Sequence, residues 1–374
     1  MKMMKKLIAV LLIAVMALSF CACHKKDEIA VKIGDVEFTS AYYMCALVNA
    51  DSEAQSKVQE SLSEEESQST DIDYYSKKID DTDYVTWVKN RALESLKEIA
   101  AYKTLYKDNK ATLPAEEQTY IDQYVEYYWS NYGYAALFEP NGVSKATFAK
   151  YTADASYSSL YFDHLYAKDG KKEISAEEMN KAIADNFVLA DSISTTFTND
   201  EGKEMTEDEI KSLKEKFNGY VTALKDGTKT FEAVYHEFNG TKESDDTANE
   251  TTTENTNDSA EEKVKPINRH ASVLGAEETD YANDDYKTVK DMAVGEVKLI
   301  EVKDNGGLKI YIKRDLAADK YYTEQIDSSV RHFLKDDEFE KTIADYVKEL
   351  ETEVNNYAVN QFKVKKIVYP ETSY

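Results

Sequence analysis

The chain is 374 residues long and acidic, with 46 Lys and Arg against 71 Asp and Glu and a formal net charge of −25 at pH 7. Its length, with 42 % hydrophobic residues, allows two or three domains with real cores. The charge argues against nucleic acid as a partner, because phosphate recognition needs a basic face.

Residues 1–6 are a basic n-region, and residues 7–20 are an apolar run too short and wrongly flanked for a permanent membrane span. The run closes on Leu18-Ser-Phe-Cys-Ala-Cys23. A cysteine at the end of such a run resembles a bacterial lipobox, in which the thiol is acylated and becomes residue one. The small Ala22 before it selects Cys23, with Cys21 as the alternative and an ordinary signal peptide as the plainer reading. Acylation implies anchoring to the outer face of the cytoplasmic membrane. Removal of the segment leaves Cys45, in an apolar helical run, as a buried inert thiol. It also leaves no cysteine pair for a disulfide and no cysteine-rich metal site.

Apolar residues alternate at Ile29, Val31 and Ile33, turn at Gly34-Asp35, and alternate again at Val36 and Phe38, which predicts a hairpin. Thr39 or Ser40 then caps a helix. Residues 51–83 are polar and acidic and read as a mobile insertion or a solvated helix face. Val85, Val88, Ala92, Leu96, Ile99 and Tyr106 share one face of a helix over 85–107. Pro114 opens a further helix over 115–132 rich in aromatics, and another runs from Ser144 to about Tyr166. Ser175-Ala-Glu-Glu178 has the form of a capping box.

A β-run follows from Phe187 to Phe197. Thr206 caps a helix over 207–225, which Gly227 ends, and a short helix spans 231–238. Residues 239–265 are Thr, Asn, Asp, Glu and Ser, too polar to offset their ordering entropy, and are expected to be a disordered insertion. Val273-Leu-Gly275, a helix around 286–292 and a hairpin turning at Asn305-Gly-Gly307 complete this part. The tail predicts one long helix over 319–358, with the alternating 362–368 as a strand that pairs with the N-terminal hairpin. The 28 tyrosines against 2 tryptophans suit either an adaptable binding surface or the seams between helices.

The order from Phe187 to Leu316 — strand, helix ending in Leu224-Lys-Asp-Gly-Thr-Lys-Thr-Phe231, then a hairpin around Gly306-Gly307 — resembles the parvulin-type peptidyl-prolyl isomerase domain. The flanking pieces resemble the two halves of the chaperone domain of extracytoplasmic foldases of the PrsA and SurA kind. The resemblance implies an α+β protein: a discontinuous, mostly helical chaperone domain with a small hairpin and strand, and a parvulin-like α+β domain inserted in it. The corresponding segments are 1–23 (signal), 24–175 (N-terminal helical part), 176–318 (parvulin-like, with the insertion 239–265) and 319–374 (C-terminal helix and strand). The partners it implies are unfolded or nascent exported proteins and, through the anchor, the membrane.

Prolyl isomerisation needs no nucleophile and no cofactor, only a pocket that lowers a rotation barrier of about 20 kcal/mol. The resemblance puts two facing histidines on central strands, but Ser192 and Lys309 stand at those positions here. They are the candidate catalytic residues, and weak isomerase activity or none is the expectation. His236 and His270 read as surface or capping residues, and His164 and His332 have no second ligand at helical spacing. No metal is expected, and no phosphate-binding loop, nucleophile elbow or zinc-protease motif is present in the sequence. Candidate client-binding residues are Tyr124, Tyr127, Tyr128, Trp129 and Tyr132. The competing readings are an active isomerase with a rearranged site and a cell-surface binding lipoprotein.

Overall fold

A computed structural model describes residues 27–63, 66, 72–108, 112–199, 202–241, 270–302 and 306–370. Cys21, Cys23 and residues 242–265 of the expected insertion lie outside the described residues. The chain divides into two compact units: one takes the residues up to Lys171 together with those from Glu338 onward, and the other is Lys172–Asp337.

The first unit opens with strands β1 (Ile29–Ile33) and β2 (Val36–Thr39), paired antiparallel across the predicted turn. Thr39 caps α1 (Ser40–Ser61) by accepting from the Tyr42 amide. This helix corrects the expected insertion at 51–83: it continues to Ser61 and buries Asp51, Ala54 and Val58. A two-residue hairpin follows, β3 (Lys78–Ile79) and β4 (Thr82–Asp83). Its turn residues Asp80 and Asp81 both have positive φ, a conformation for which sequence normally signals Asn or Gly. α2 (Tyr84–Asp108) buries Val88, Ala92, Leu96 and Ile99 as its periodicity requires. α3 (Ala115–Asn131), α4 (Tyr134–Phe138), α5 (Lys145–Ala155) and α6 (Tyr157–Tyr166) follow. The single helix expected over 144–166 is thus two, separated at Ser156, whose amide closes α5 onto Thr152.

The second unit begins with α7 (Ala176–Asn186), where Ser175 accepts from the Glu178 amide. It continues through β5 (Phe187–Thr196), α8 (Glu207–Lys225), α9 (Phe231–Asn239), β6 (Ala271–Gly275), α10 (Tyr286–Lys290), β7 (Val297–Val302) and β8 (Gly307–Arg314). The capping box is complete at Thr206 and Glu209. The strands form one antiparallel sheet in the order β6-β5-β8-β7, so β5 and β8 are central. Gly306 takes positive φ at the β7–β8 turn, and a Cβ on Gly307 would lie 2.3 Å from the Thr195 carbonyl oxygen.

The tail departs from expectation. In place of one helix over 319–358 there are α11 (Lys320–Gln325) and α12 (Asp327–Glu349), then strand β9 (Thr352–Val354) and α13 (Asn356–Asn360). Residues 362–368 are not the strand that joins the hairpin. Val364–Lys366 is a 3₁₀ turn, and β9 pairs with β1 instead, Ile33 opposite Thr352 and Val31 opposite Val354. Pairing with a waiting strand edge outweighs helix propensity in a stretch with β-branched Thr352 and Val354. The division between the two compact units falls within α12, after Asp337. The cause is that Leu316, Tyr322, Ile326 and Val330 are buried with Ala182, Phe187 and Val273 of the second unit.

Carboxylates buried in the first unit are met by tyrosine hydroxyls. Asp51 is fully buried and accepts from Tyr84 (3.0 Å), Gln55 (3.0 Å) and Tyr369. Asp154 accepts from Lys103 (2.5 Å) and Tyr42 (3.2 Å). The segment carrying Tyr369 is also held by Asn141, which donates to the Val368 carbonyl (2.8 Å) and accepts from its amide (3.0 Å). Asp51→Ala would strand the Tyr369 hydroxyl and the Gln55 amide, at about 1–3 kcal/mol each, while Tyr84 keeps its bond to the residue-51 carbonyl (3.1 Å). The expected outcome is a loss of about 3 kcal/mol, against under about 1 kcal/mol for exposed Asp122→Ala. Urea unfolding followed by tryptophan fluorescence measures it, because both tryptophans, Trp87 and Trp129, belong to this unit.

Burial pushes the Tyr43 phenol from its ordinary 10.0 up to about 12. Burial followed by the charge of Glu338 does the same to Tyr166. The folded state therefore favours the neutral phenol, and this contribution is complete below pH 10 and is lost as pH rises from 10 toward 12. Phenolate absorbance should show a late-titrating fraction whose ionisation coincides with loss of helical circular dichroism. Coincidence with the ordinary tyrosine titration would contradict it.

Candidate functional site

The inserted sheet has two unlike faces. On one, Ile193 of β5 and Leu308 and Ile310 of β8 pack against Phe217 and Tyr220 of α8 and Phe231 and Val234 of α9. On the other, Ser192 is paired with Tyr311 and Ser194 with Lys309. Because side chains alternate along strands, these four residues share that face. The two positions singled out in the sequence, Ser192 and Lys309, thus lie on adjacent central strands, on one face, offset by two residues along the ladder.

That face is roofed by α10, whose Val289 packs with Met292, Val188, Ala190 and Tyr311. Lys313 fastens the roof by donating to the carbonyls of Lys290 (2.8 Å) and Met292 (2.7 Å). Burial, and then the Lys290 charge, hold the Lys313 ammonium below its usual range. From the N-terminal end of α10, Asp285 receives Lys309 Nζ at 2.6 Å in a partly buried ion pair. The Tyr311 hydroxyl hydrogen-bonds the same carboxylate, and burial followed by that bond raises its pKa far above the usual phenol range. Lys309 and Tyr311 therefore both direct their protons to Asp285. The group can hold a carboxylate in place, and it presents no imidazole.

The histidines of this unit lie elsewhere. α9 packs on the opposite face, and its His236 is buried, with Nδ1 at 2.9 Å from Thr241 Oγ1. This corrects the reading of His236 as a surface residue. His270, just before edge strand β6, stacks on Tyr235 at 3.7 Å between centroids and meets His236 edge to face at 5.9 Å. Sequence spacing could not bring these two together, because 33 positions separate them. His332 lies 2.7 Å from Asp336 one helical turn on, and His164 packs edge-on against Tyr106 of the first unit. Among the described residues, no group of three or more His, Cys, Asp or Glu is arranged to hold a metal ion.

The aromatic candidates lie on α3. Ile121, Val125 and Trp129 recur every four residues and form its buried stripe. Trp129 stacks on Phe138 and Phe148, so it is a core residue and is removed from the client-binding set. One position around the helix, Tyr120, Tyr124, Tyr128 and Tyr132 form a second four-residue repeat. Tyr124 and Tyr128 stack at 4.1 Å, and Tyr128 and Tyr132 lie 5.0 Å apart. Tyr127 joins the row at 5.2 Å from Tyr132. Tyr120, Tyr127 and Tyr132 are 62, 50 and 59 % exposed. Tyr124 and Tyr128 are half-buried, so the open part of the row is Tyr120, Tyr127 and Tyr132.

The architecture is α+β, with small antiparallel sheets and helical layers. No family model and no curated protein matches the chain. Solved structures similar to it are PrsA foldases. That of Streptococcus pneumoniae is 14 % identical over 72 % of this chain and 87 % of its own, with a TM-score of 0.36. That of Lactococcus lactis is 12 % identical over 90 % and 99 %, with a TM-score of 0.37. That of Bacillus subtilis is 16 % identical over 75 % and 93 %, with a TM-score of 0.29. Likenesses at these scores carry no weight in assigning a function, which rests on the chain's own residues.

Lys309→Met should leave the Asp285 carboxylate without its cation and lower stability by about 1–3 kcal/mol. Adding Asp285→Asn should recover much of that loss. Calorimetry of the two single variants and the double variant tests the coupling, and simply additive losses would show that the pair does not act together.

Proposed function

We propose that this chain is an extracytoplasmic chaperone of the foldase kind that holds unfolded or nascent exported proteins and has little or no prolyl isomerase activity. Lipidation at Cys23, with Cys21 as the alternative, would keep it on the outer face of the cytoplasmic membrane. The chaperone part is assigned to residues 24–175 and 319–374, and the isomerase-like part to 176–318. The observation that carries the holding role is the open row Tyr120, Tyr124, Tyr127, Tyr128 and Tyr132 on α3. Aromatic rings with polar tips grip many sequences through stacking and burial without demanding one register.

The reading of lost catalysis rests on Ser192 and Lys309. They stand where the resemblance puts two imidazoles, and Lys309 is committed to Asp285. A twisting prolyl amide needs donors aimed at its carbonyl, and an ammonium already paired at 2.6 Å is a poor one. One observation favours a second reading, an isomerase with a rebuilt site: the His236–His270 contact brings two imidazoles together away from the central strands.

The test pairs aggregation suppression of an unfolded secreted protein with a prolyl-peptide isomerisation assay. Suppression without acceleration is expected, with Tyr127→Ala/Tyr132→Ala reducing suppression severalfold. Acceleration abolished by Ser192→Ala or Lys309→Ala would overturn the reading of lost catalysis. Acceleration abolished by His236→Ala or His270→Ala would establish the second reading. Silence in both assays would favour a cell-surface binding lipoprotein.

A further inference from the structure

The tyrosine row has a charge environment that the holding role by itself does not require. Residues 112–144, which contain all of α3 and α4, hold no Lys, Arg or His, but they hold Glu116, Glu117, Asp122, Glu126 and Glu139. Beside the row runs a shallow groove of about 470 Å³, lined by Thr119, Asp122, Gln123, Glu126, Tyr127 and Asn131. It therefore offers two carboxylates and the face or edge of one exposed ring to whatever lies in it. Asp122 accepts from the neutral Gln118 amide at 2.9 Å.

A cation of the first unit already reaches one carboxylate of the groove. Lys145, the first residue of α5, reaches to Glu126 at 2.5 Å. That bond holds the Glu126 carboxyl below its usual range, with the Lys145 hydrogen bond as the largest cause. Elsewhere in the first unit the protein seats its own ammonium groups over tyrosine rings: Lys150 lies 5.6 Å from the Tyr42 centroid, Lys103 5.9 Å from Tyr157 and Lys365 5.4 Å from Tyr75. The α3 row has the same rings and the same acidic surroundings, and its own segment supplies no cation.

We propose that the row and its groove select cationic client segments: extended stretches in which Lys or Arg alternate with apolar or aromatic residues. The basic side chains lie over the exposed tyrosines and pair with Asp122 and Glu126, and the apolar ones stack along Tyr124, Tyr128 and Tyr132. This deepens the holding role and rests on it. Ring faces attract ammonium and guanidinium groups, and Arg more than Lys. Carboxylates at the rim raise the encounter rate and disfavour acidic segments. Both contributions are exposed, so salt screens them.

The probes are three labelled unstructured peptides of identical length and apolar content, bearing Arg and Lys, Gln and Ser, or Glu and Asp at the remaining positions. Fluorescence anisotropy on the purified protein reads binding at low and high salt. The cationic peptide should bind about ten-fold more tightly than the neutral one, and high salt should remove most of the difference. Tyr127→Ala/Tyr132→Ala should weaken it, and Asp122→Asn should lessen its advantage over the neutral peptide. Lys145→Gln should tighten it by releasing Glu126. Equal binding of the three peptides would overturn the charge selection and leave the holding role standing. Cationic preference that survives every α3 substitution would overturn this surface as its origin. Failure of all three peptides to bind, together with no aggregation suppression, would overturn both proposals.

Discussion

The pairing of β1 with β9 is the constraint on which the first unit depends. Ile33 and Thr352 lie directly opposite each other in the ladder although more than three hundred residues separate them. Closing a flexible loop of that length costs only a few kcal/mol more than closing a short one, because the entropy grows with the logarithm of length. The residues between are largely folded, which shortens the effective loop further. Once β9 is seated, Asn355 caps α13 and the Asn355 amide bonds to the Ala30 carbonyl. Phe362, Val364 and Ile367 then join the core formed by α1 and α2. A whole unit can thus be interposed at Lys172–Asp337 without depriving the first of its last strand.

A second regularity follows from composition. With 71 acidic residues and 46 basic ones, the chain has fewer cations than carboxylates. Tyrosine hydroxyls supply the missing donors: Tyr84 and Tyr369 to Asp51, Tyr42 to Asp154, Tyr166 to Glu338 and Tyr311 to Asp285. A phenol donates one proton, carries no charge to desolvate, and brings an apolar ring that packs. Part of the tyrosine count is therefore internal structure. Among the described residues three of the five exposed tyrosines, Tyr120, Tyr127 and Tyr132, lie together on or beside α3.

The same economy bears on the inserted sheet. Asp285 draws in both Lys309 and Tyr311, so the face that could have been a catalytic floor is stitched to its roof helix. A polar cluster satisfied in this way stiffens the fold and commits the Lys309 and Tyr311 donors to Asp285. On the proposed reading the inserted unit serves as a scaffold, and the holding surface lies on α3 of the other unit.

Much of this architecture is legible in the amino-acid sequence. Strict alternation marks β1, β2, β5 and β8, helical spacing marks α2, α3 and α8, and Thr39, Ser144 and Thr206 mark helix starts by their own short-range chemistry. Ser192 and Lys309 are identified by their place in an ordered series of elements. Local pattern could not decide the rest. Residues 51–61 look solvated, but Asp51 is buried because Tyr84 and Tyr369 reach it from distant parts of the chain. The strand that completes the hairpin is Thr352–Val354, with the better alternating run at 362–368 left as a turn, because pairing depends on which segment arrives beside β1. Trp129 and Tyr128 are adjacent in sequence, yet one is core and the other lies on the exposed row, a difference set by the position of Phe138 and Phe148. The sequence by itself determined the elements, the charge and the residues standing where imidazoles were expected, since these follow from chemistry within a few positions. Only the tertiary structure decided the partners of Asp51, Asp285 and His236, because each is met by a side chain brought from far along the chain or from another element.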